Sequence, residues 1–334
     1  MRIPITKIPF PCIFGIAVSL LFAAFLSGCT HKESAPEMSS NQEISKNKEY
    51  LERDIVKIAA GQVNQDEHKY EVMLAYIDSA GAEEADLIVL PEYIAGVFSI
   101  PLKESDPISQ IAKAAQKNNI YVIVGGWEEF EEGAFKSKKK GGFSNTALLF
   151  DRKGEIAGKY SKMHPAVGKA PHWWPPLPDQ SEWIMKAGED FPVFELDFGC
   201  VGIMICYDGY FPEPAEILSL HGAEIVAWIN ARGGSIEKHL VQSDIQRNYI
   251  AMVATNLGHG AGTLIAQNSH KIESYVDSTG NHYISHDINM KKLRERRAHS
   301  RVHHQRRPDL YESITIEHPI WEVYSSESAD PVPE

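Results

Sequence analysis

Cysteine is scarce, with four residues in a chain of 334, which excludes a disulfide-stapled scaffold. No pair stands in Cys-x-x-Cys spacing, so a thiol redox protein would lack its resolving partner. Basic charge is also short: 33 Lys and Arg face 45 Asp and Glu, a formal net charge of −12. Duplex nucleic-acid binders need a net basic face, so nucleic acid is excluded as a partner and small molecules are favoured. The 24 glycines and 19 prolines show no periodic enrichment, which removes collagen-like and low-complexity chains. Long apolar runs are missing except for one ending at Gly28, so a bundle of several membrane spans is excluded. What is present is ordinary globular composition, 43% hydrophobic and 23% charged, expected to form one domain of about 250 residues with tails.

The exceptional run opens the chain. Arg2 and Lys7 precede an apolar stretch that closes on Leu26-Ser27-Gly28-Cys29, the layout of a secretory signal with small residues at the cleavage point. These four residues resemble a bacterial lipobox, which implies a signal peptide over 1–28 and lipidation of Cys29. An uncleaved anchor is the other reading, since Cys12 to Gly28 approaches the lower limit of about 17 residues for a spanning helix. Either places the rest of the chain outside the cytoplasm on a membrane surface. Residues 30–53 are polar and hold almost no large apolar side chains, the composition of a tether.

From residue 54 short β-rich runs alternate with amphipathic stretches. The pattern predicts strands over 54–63, 85–90, 120–125, 144–151, 191–196, 200–205, 224–229 and 251–256, and helices over 67–80, 108–118, 212–221 and 237–249. Three further strand-like runs lie near 262–267, 271–277 and 282–287. The order implies layered α/β, with sheets covered by helices. The lysine-rich run between residues 128 and 142 is expected to be a solvated loop. Residues 291–307 hold eight Lys and Arg against one Glu. This segment is expected to be an arm that pairs with the acidic body or with another subunit, ahead of a strip for anionic lipid. Its histidines, His299, His303 and His304, have no cysteine or carboxylate at ligand spacing, so no metal is assigned.

Three local signals carry chemistry. The buried run ADLIVL ends at Pro91-Glu92-Tyr93, putting a carboxylate where α/β sheets commonly keep their sites. Lys162 follows a strand-like segment in KYSKMHP. Cys206 ends the apolar run VGIMI just ahead of Pro212, which suits the first turn of a helix. A thiol at such a turn can have its thiolate stabilised by backbone N–H groups and the helix dipole. Cys200, on the same run, reads as core. Six extended residues separate the two thiols by about 20 Å, too far for a bridge that needs Cα atoms within about 7 Å.

Together, Glu92, Lys162 and Cys206 resemble the Glu-Lys-Cys triad of the nitrilase superfamily, the carbon-nitrogen hydrolases. The likeness spans roughly residues 54–290 and continues through HGAEIVAWINARGG. It implies a four-layer αββα sandwich that assembles as a homodimer or higher homo-oligomer. It also implies that Lys162 and the backbone N–H of Tyr207 stabilise an oxyanion, and that a second glutamate positions the lysine. Glu182 is the better match for that glutamate, though its spacing to Gly188 is one residue short, and Glu189 is the alternative. The chemistry follows from the residues as well. A thiol of pKa about 8.5 is mostly protonated at neutral pH and needs a base; Glu92 fits that role, and no cofactor is required. Trp173 and Trp174 either line the pocket or bury a subunit contact. Asn230, Ala231 and Arg232 lie where the family contacts substrate, and Arg232 either pairs with a substrate carboxylate or is an exposed arginine, the commoner outcome.

Departures from the pattern are Tyr210, where relatives commonly carry Arg, and Asp244 with Arg247, where many carry Arg and Glu. The Cys206-Tyr207-Asp208 start resembles the amidase and carbamoyl-amidase branches more than the nitrile-cleaving ones. The expected activity is therefore hydrolysis of a small linear amide or N-carbamoyl amine. Acyl transfer to an amine and a non-catalytic binding lipoprotein are the alternatives. The resulting organisation is a signal over 1–28, a lipidated Cys29 and tether to 53, a hydrolase domain over 54–290 and a basic extension over 291–334.

Overall fold

The computed structural model describes residues 53–166 and 181–316. The first half runs β1 (Ile55–Gln62), α1 (Lys69–Ala82), β2 (Leu87–Val89), β3 (Val97–Ser99), α2 (Ser109–Asn118), β4 (Tyr121–Glu129), β5 (Phe143–Phe150) and β6 (Ile156–Ser161). The second runs β7 (Val193–Leu196), β8 (Gly199–Ile205), α3 (Pro212–Leu220), β9 (Ile225–Ile229), α4 (Lys238–Asn248), β10 (Ala251–Thr255), β11 (Leu264–Ala266), β12 (Ser274–Tyr275), β13 (His282–Asn289), α5 (Met290–Ala298) and α6 (Arg301–His304).

Two mixed sheets result, one ordered β13-β1-β2-β4-β5-β6 with β3 alongside β4, the other ordered β12-β11-β10-β9-β8-β7. The central strands β1, β2 and β4 are parallel, as are β8, β9 and β10. Such strands are covered on both faces, which explains why β2 (LIV) and β9 (IVAWI) are wholly apolar. Alternation sorts the side chains between layers. Val56, Ile58, Leu87, Val89, Ile123 and Leu149 join the core shared with the second sheet. Their neighbours Ala59, Ile88, Val122, Val124 and Leu148 face α1 and α2. On the far side Ala215 and Leu218 of α3 and Val241 and Ile245 of α4 pack into the same core as β8 and β9. The chain therefore adopts the αββα sandwich.

Helix limits differ from the periodicity. At the start of α1, His68 N–H donates to Asp66 Oδ1 at 2.9 Å, so the chain is still turning at Glu67. At its end α1 runs through Gly81, because an added Cβ there would sit 2.4 Å from Asn118 Oδ1 and the two helices cross at that glycine. The basic run is helical over α5 and α6 and bonds to its own body. Arg294 pairs with Glu224 at 2.7 Å, Arg306 with Glu216 at 2.8 Å, and Arg297 donates to the carbonyls of Ser219 and Ala223. Among the described residues no helix is long and apolar enough to cross a membrane, and no His, Cys, Asp and Glu cluster is arranged to hold a metal. The predicted signal, the lipidation site Cys29 and the tether as far as residue 52 lie outside the described residues.

Candidate active site

Glu92 follows β2 by way of Leu90 and Pro91, and its position depends on Gly125 of β4. A Cβ at residue 125 would lie 2.8 Å from the Glu92 Cα and 2.7 Å from Ile229 Cδ1 of the facing sheet. Only glycine lets the strand end cross there. Tyr93 then turns the chain with a left-handed φ of 63°, stacks on Trp127 with ring centroids 4.7 Å apart, and donates its hydroxyl to Glu182. Glu92 is fully buried. Its Oε1 accepts from Asn145 Nδ2 at 2.7 Å and from Lys162 Nζ at 3.2 Å, whereas its Oε2 has no hydrogen-bond partner among the described residues.

Lys162 leaves the end of β6 with its backbone N–H on the Asn145 carbonyl at 2.8 Å, and its side chain is 1% exposed. The ammonium lies 2.6 Å from Glu182 Oε1 as well as 3.2 Å from Glu92. Burial alone would lower the lysine's pKa, but Glu92, then Cys206 and Glu182, outweigh it and hold the ammonium above its ordinary value. Burial would raise Glu182; Lys162, with bonds from Tyr93 and the Ala166 N–H, reverses this and keeps it ionised. Glu92 goes the other way: burial raises it, opposed by Lys162 and reinforced by the neighbouring Glu182 charge. Two carboxylates on one ammonium are thus driven apart, one a firm anion and the other closer to taking a proton. Of the two glutamates left open by the spacing, Glu182 reaches Lys162, while Glu189 is exposed and pairs with Lys186 at 3.2 Å.

Cys206 follows directly on β8 with a left-handed φ of 45° and opens a short 3-10 turn, Cys206–Tyr210. Its carbonyl accepts from Trp228 Nε1 at 2.9 Å and from Arg232 Nη2 at 3.3 Å. Gly209 underlies the turn, where a Cβ would lie 2.2 Å from the Trp228 ring. The residue as a whole is half-buried. Burial, then the Glu92 charge, push its pKa up to about 12, with Lys162 and Arg232 pulling in the opposite sense. This corrects the expectation of a thiolate stabilised by a helix terminus. The 3-10 turn separates Cys206 from α3, and a helix dipole fades within its first turn. No disulfide joins Cys206 to the buried Cys200.

The site therefore gathers an acceptor, an ammonium and a neutral thiol whose titration responds to both charges. The family model for carbon-nitrogen hydrolases matches residues 57–273, a span containing every one of these groups. The chain is a carbon-nitrogen hydrolase family member. The human omega-amidase is 26% identical over 71% of this chain and 88% of its own length. N-carbamoylputrescine amidase of Arabidopsis thaliana is 23% identical over 71% of this chain and 87% of its own. Among solved structures, the carbon-nitrogen hydrolase from Helicobacter pylori shares the fold with a TM-score of 0.61 at 18% identity, covering 78% of this chain and 98% of that one.

In this family member the segment after β9 behaves differently from expectation. Arg232 is not an exposed arginine, since its side chain is only 9% accessible. It donates to Asn230 Oδ1 at 2.9 Å and to Tyr210 at 2.8 Å, pairs with Glu237, and lies over the Trp228 ring. The arginine is drawn inward because it can bond the Cys206 carbonyl and stack on Trp228 at once. Asn230 is fully buried, with its Nδ2 on the Trp228 carbonyl at 2.9 Å, and Ala231 packs against the helix-side core of the first sheet. Tyr207 is half-buried, its ring against Tyr210 and Phe211. Asp244 and Arg247 pair with each other at 2.7 Å. Trp173 and Trp174 lie outside the described residues. Sequence reasoning missed Asn145, which bridges Glu92 and Glu182 at 2.7 and 3.3 Å. The available signal was an amide interrupting the otherwise strand-like run FSNTALLF.

Proposed function

We propose that this hydrolase cleaves the C–N bond of a small linear amide or N-carbamoyl amine through a thioester on Cys206. The observation that carries the reading is Glu92: a fully buried carboxylate with one oxygen on Lys162 and Asn145 and the other without a partner among the described residues. That second oxygen is the acceptor a protonated thiol needs. In the proposed sequence Glu92 takes the thiol proton as Cys206 Sγ bonds to the carbonyl carbon. The Lys162 ammonium and the Tyr207 N–H stabilise the resulting oxyanion. Collapse breaks the C–N bond as Glu92 returns the proton to the leaving nitrogen, releasing ammonia or an amine. Water then attacks the thioester with Glu92 accepting its proton, the C–S bond breaks, and the thiol is restored with the acid product. The amidase and carbamoyl-amidase relatives support an amide or N-carbamoyl amine as substrate. We also propose export and attachment through lipid on Cys29, supported by the charged leader and the Leu26-Ser27-Gly28-Cys29 sequence.

The test is ammonia release by the full-length chain against amides, ω-amides, N-carbamoyl amines and nitriles, beside Cys206→Ala and Glu92→Gln. Release from amides or carbamoyl amines that vanishes in both variants is expected. Release that survives Cys206→Ala, or that occurs only from nitriles, refutes the proposal. Silence with hydroxamate formed on adding hydroxylamine would favour acyl transfer instead.

A further inference from the structure

Asp208 takes no part in the chemistry above, yet it is fully buried and both of its oxygens are hydrogen-bonded. Its Oδ2 accepts from the Ile205 N–H at 2.9 Å and from the Tyr160 hydroxyl at 2.7 Å. Its Oδ1 accepts from the His164 N–H at 3.0 Å and lies 2.8 Å from His164 Nδ1. In the Nδ1 contact the ring supplies the proton wherever the carboxylate is the acceptor. The bond to Ile205 closes the turn across Cys206 and helps hold the left-handed backbone there. The bonds to Tyr160 and His164 flank Lys162 on both sides along the chain. His164 is further fixed by stacking on Phe211, with ring centroids 4.1 Å apart.

We propose that Asp208 is a positioning residue that ties the Cys206 turn to the Lys162 segment and so sets the nucleophile against the ammonium. The role rests on the reaction proposed above. It demands a carboxylate rather than an amide. Asparagine offers one acceptor oxygen, so its NH2 would face either the Ile205 or the His164 backbone N–H, and neither of these can rotate away. Misalignment, not loss of a reacting group, is the consequence.

The experiment measures kcat and KM for ammonia release, and the rate of iodoacetamide alkylation at Cys206, in Asp208→Asn, His164→Gln, their double variant and Tyr160→Phe. In Asp208→Asn kcat should fall about 100-fold, the scale of an ångström of misplacement, with KM within about threefold. In His164→Gln it should fall about tenfold, because the backbone N–H still donates. The double variant should match Asp208→Asn alone, since the His164 side chain acts through Asp208. Losses that multiply, or a raised KM at unchanged kcat, overturn the proposal. Should Asp208→Asn fail to fold, Tyr160→Phe and His164→Gln each remove one donor and leave the carboxylate, and unchanged kcat in both overturns it. Alkylation needs no substrate, so it separates this proposal from the reaction. If the unaltered chain releases no ammonia, loosening the turn in Asp208→Asn should still raise the Cys206 alkylation rate several-fold. An unchanged rate then counts against the clasp itself.

Discussion

Replacing Lys162 with methionine removes the cation from between two buried carboxylates while keeping the length of the side chain. The ammonium lies 2.6 Å from Glu182 and 3.2 Å from Glu92, whose side chains are 10% and 1% exposed. Removing one partner of a buried ion pair costs about 3–5 kcal/mol, because the remaining charge has neither water nor counterion. For a domain of this size that lowers the melting temperature by about 6–20 °C. The pH dependence gives the sharper signature. In the unaltered chain Lys162 is the largest influence holding Glu182 below its ordinary pKa; without it, burial is opposed only by the bonds from Tyr93, Ala166 and Asn145, so Glu182 moves up and Glu92, already raised, moves further above the unfolded value near 4.5. A raised carboxyl contributes stability that is fully present below the unfolded pKa and is lost as pH rises through the folded one. The deficit of Lys162→Met should therefore be small at about pH 5 and full at about pH 8. Urea melts across that range measure it. Adding Glu182→Gln to the variant should restore part of the loss at the upper end. A deficit constant with pH, or one that deepens on acidification, would refute the electrostatic account. Ammonia release should fall by about 10²–10³, the scale of one lost oxyanion donor.

Two further outcomes follow from the titration of buried groups. With the Cys206 thiol at about 12, alkylation at that residue, read by mass spectrometry, should climb steadily from about pH 7 to 10. A midpoint near pH 8.5 with the rate levelling off by about pH 10 would mean that the thiol is not perturbed. Burial raises Asp244 to about 6, so its favourable contribution is complete below 3.8 and is lost as pH rises through about 6. Asp244→Asn should then stabilise the fold at about pH 8 by about 3 kcal/mol, the worth of the rise from 3.8 to about 6, in which the opposing Arg247 bond is already counted. Near pH 4 the gain should vanish, and equal urea midpoints for the two chains at both pH values would contradict this.

Much of the architecture was legible before any coordinates. The wholly apolar runs at β2 and β9 and the stripes of α1 and α4 encode which faces are covered, and neighbouring residues carry that information within one or two turns of chain. The three motifs around Glu92, Lys162 and Cys206 were legible too, because each is a contiguous string. The bonds that Asn145, Asp208 and Arg232 make were not. Their partners are separated by 53, 44 and 26 residues, and nothing in the local string states which strand ends will meet. The basic run shows the same limit: composition announces its charge, but only packing sends Arg294 to Glu224 rather than to a surface.

By itself the sequence determined the kinds of element, the two-sided burial of the sheets and the residue types available for chemistry, since these depend on periodicity and on side-chain identity. Tertiary structure alone decided the protonation of the site. A pKa is set by the water and charges around a group. Glu92, Glu182, Lys162 and Cys206 acquire theirs only when folding brings them within reach of one another's charges. The same closure gives Glu92 one tethered oxygen and one open one, an asymmetry that no reading of neighbouring residues could supply.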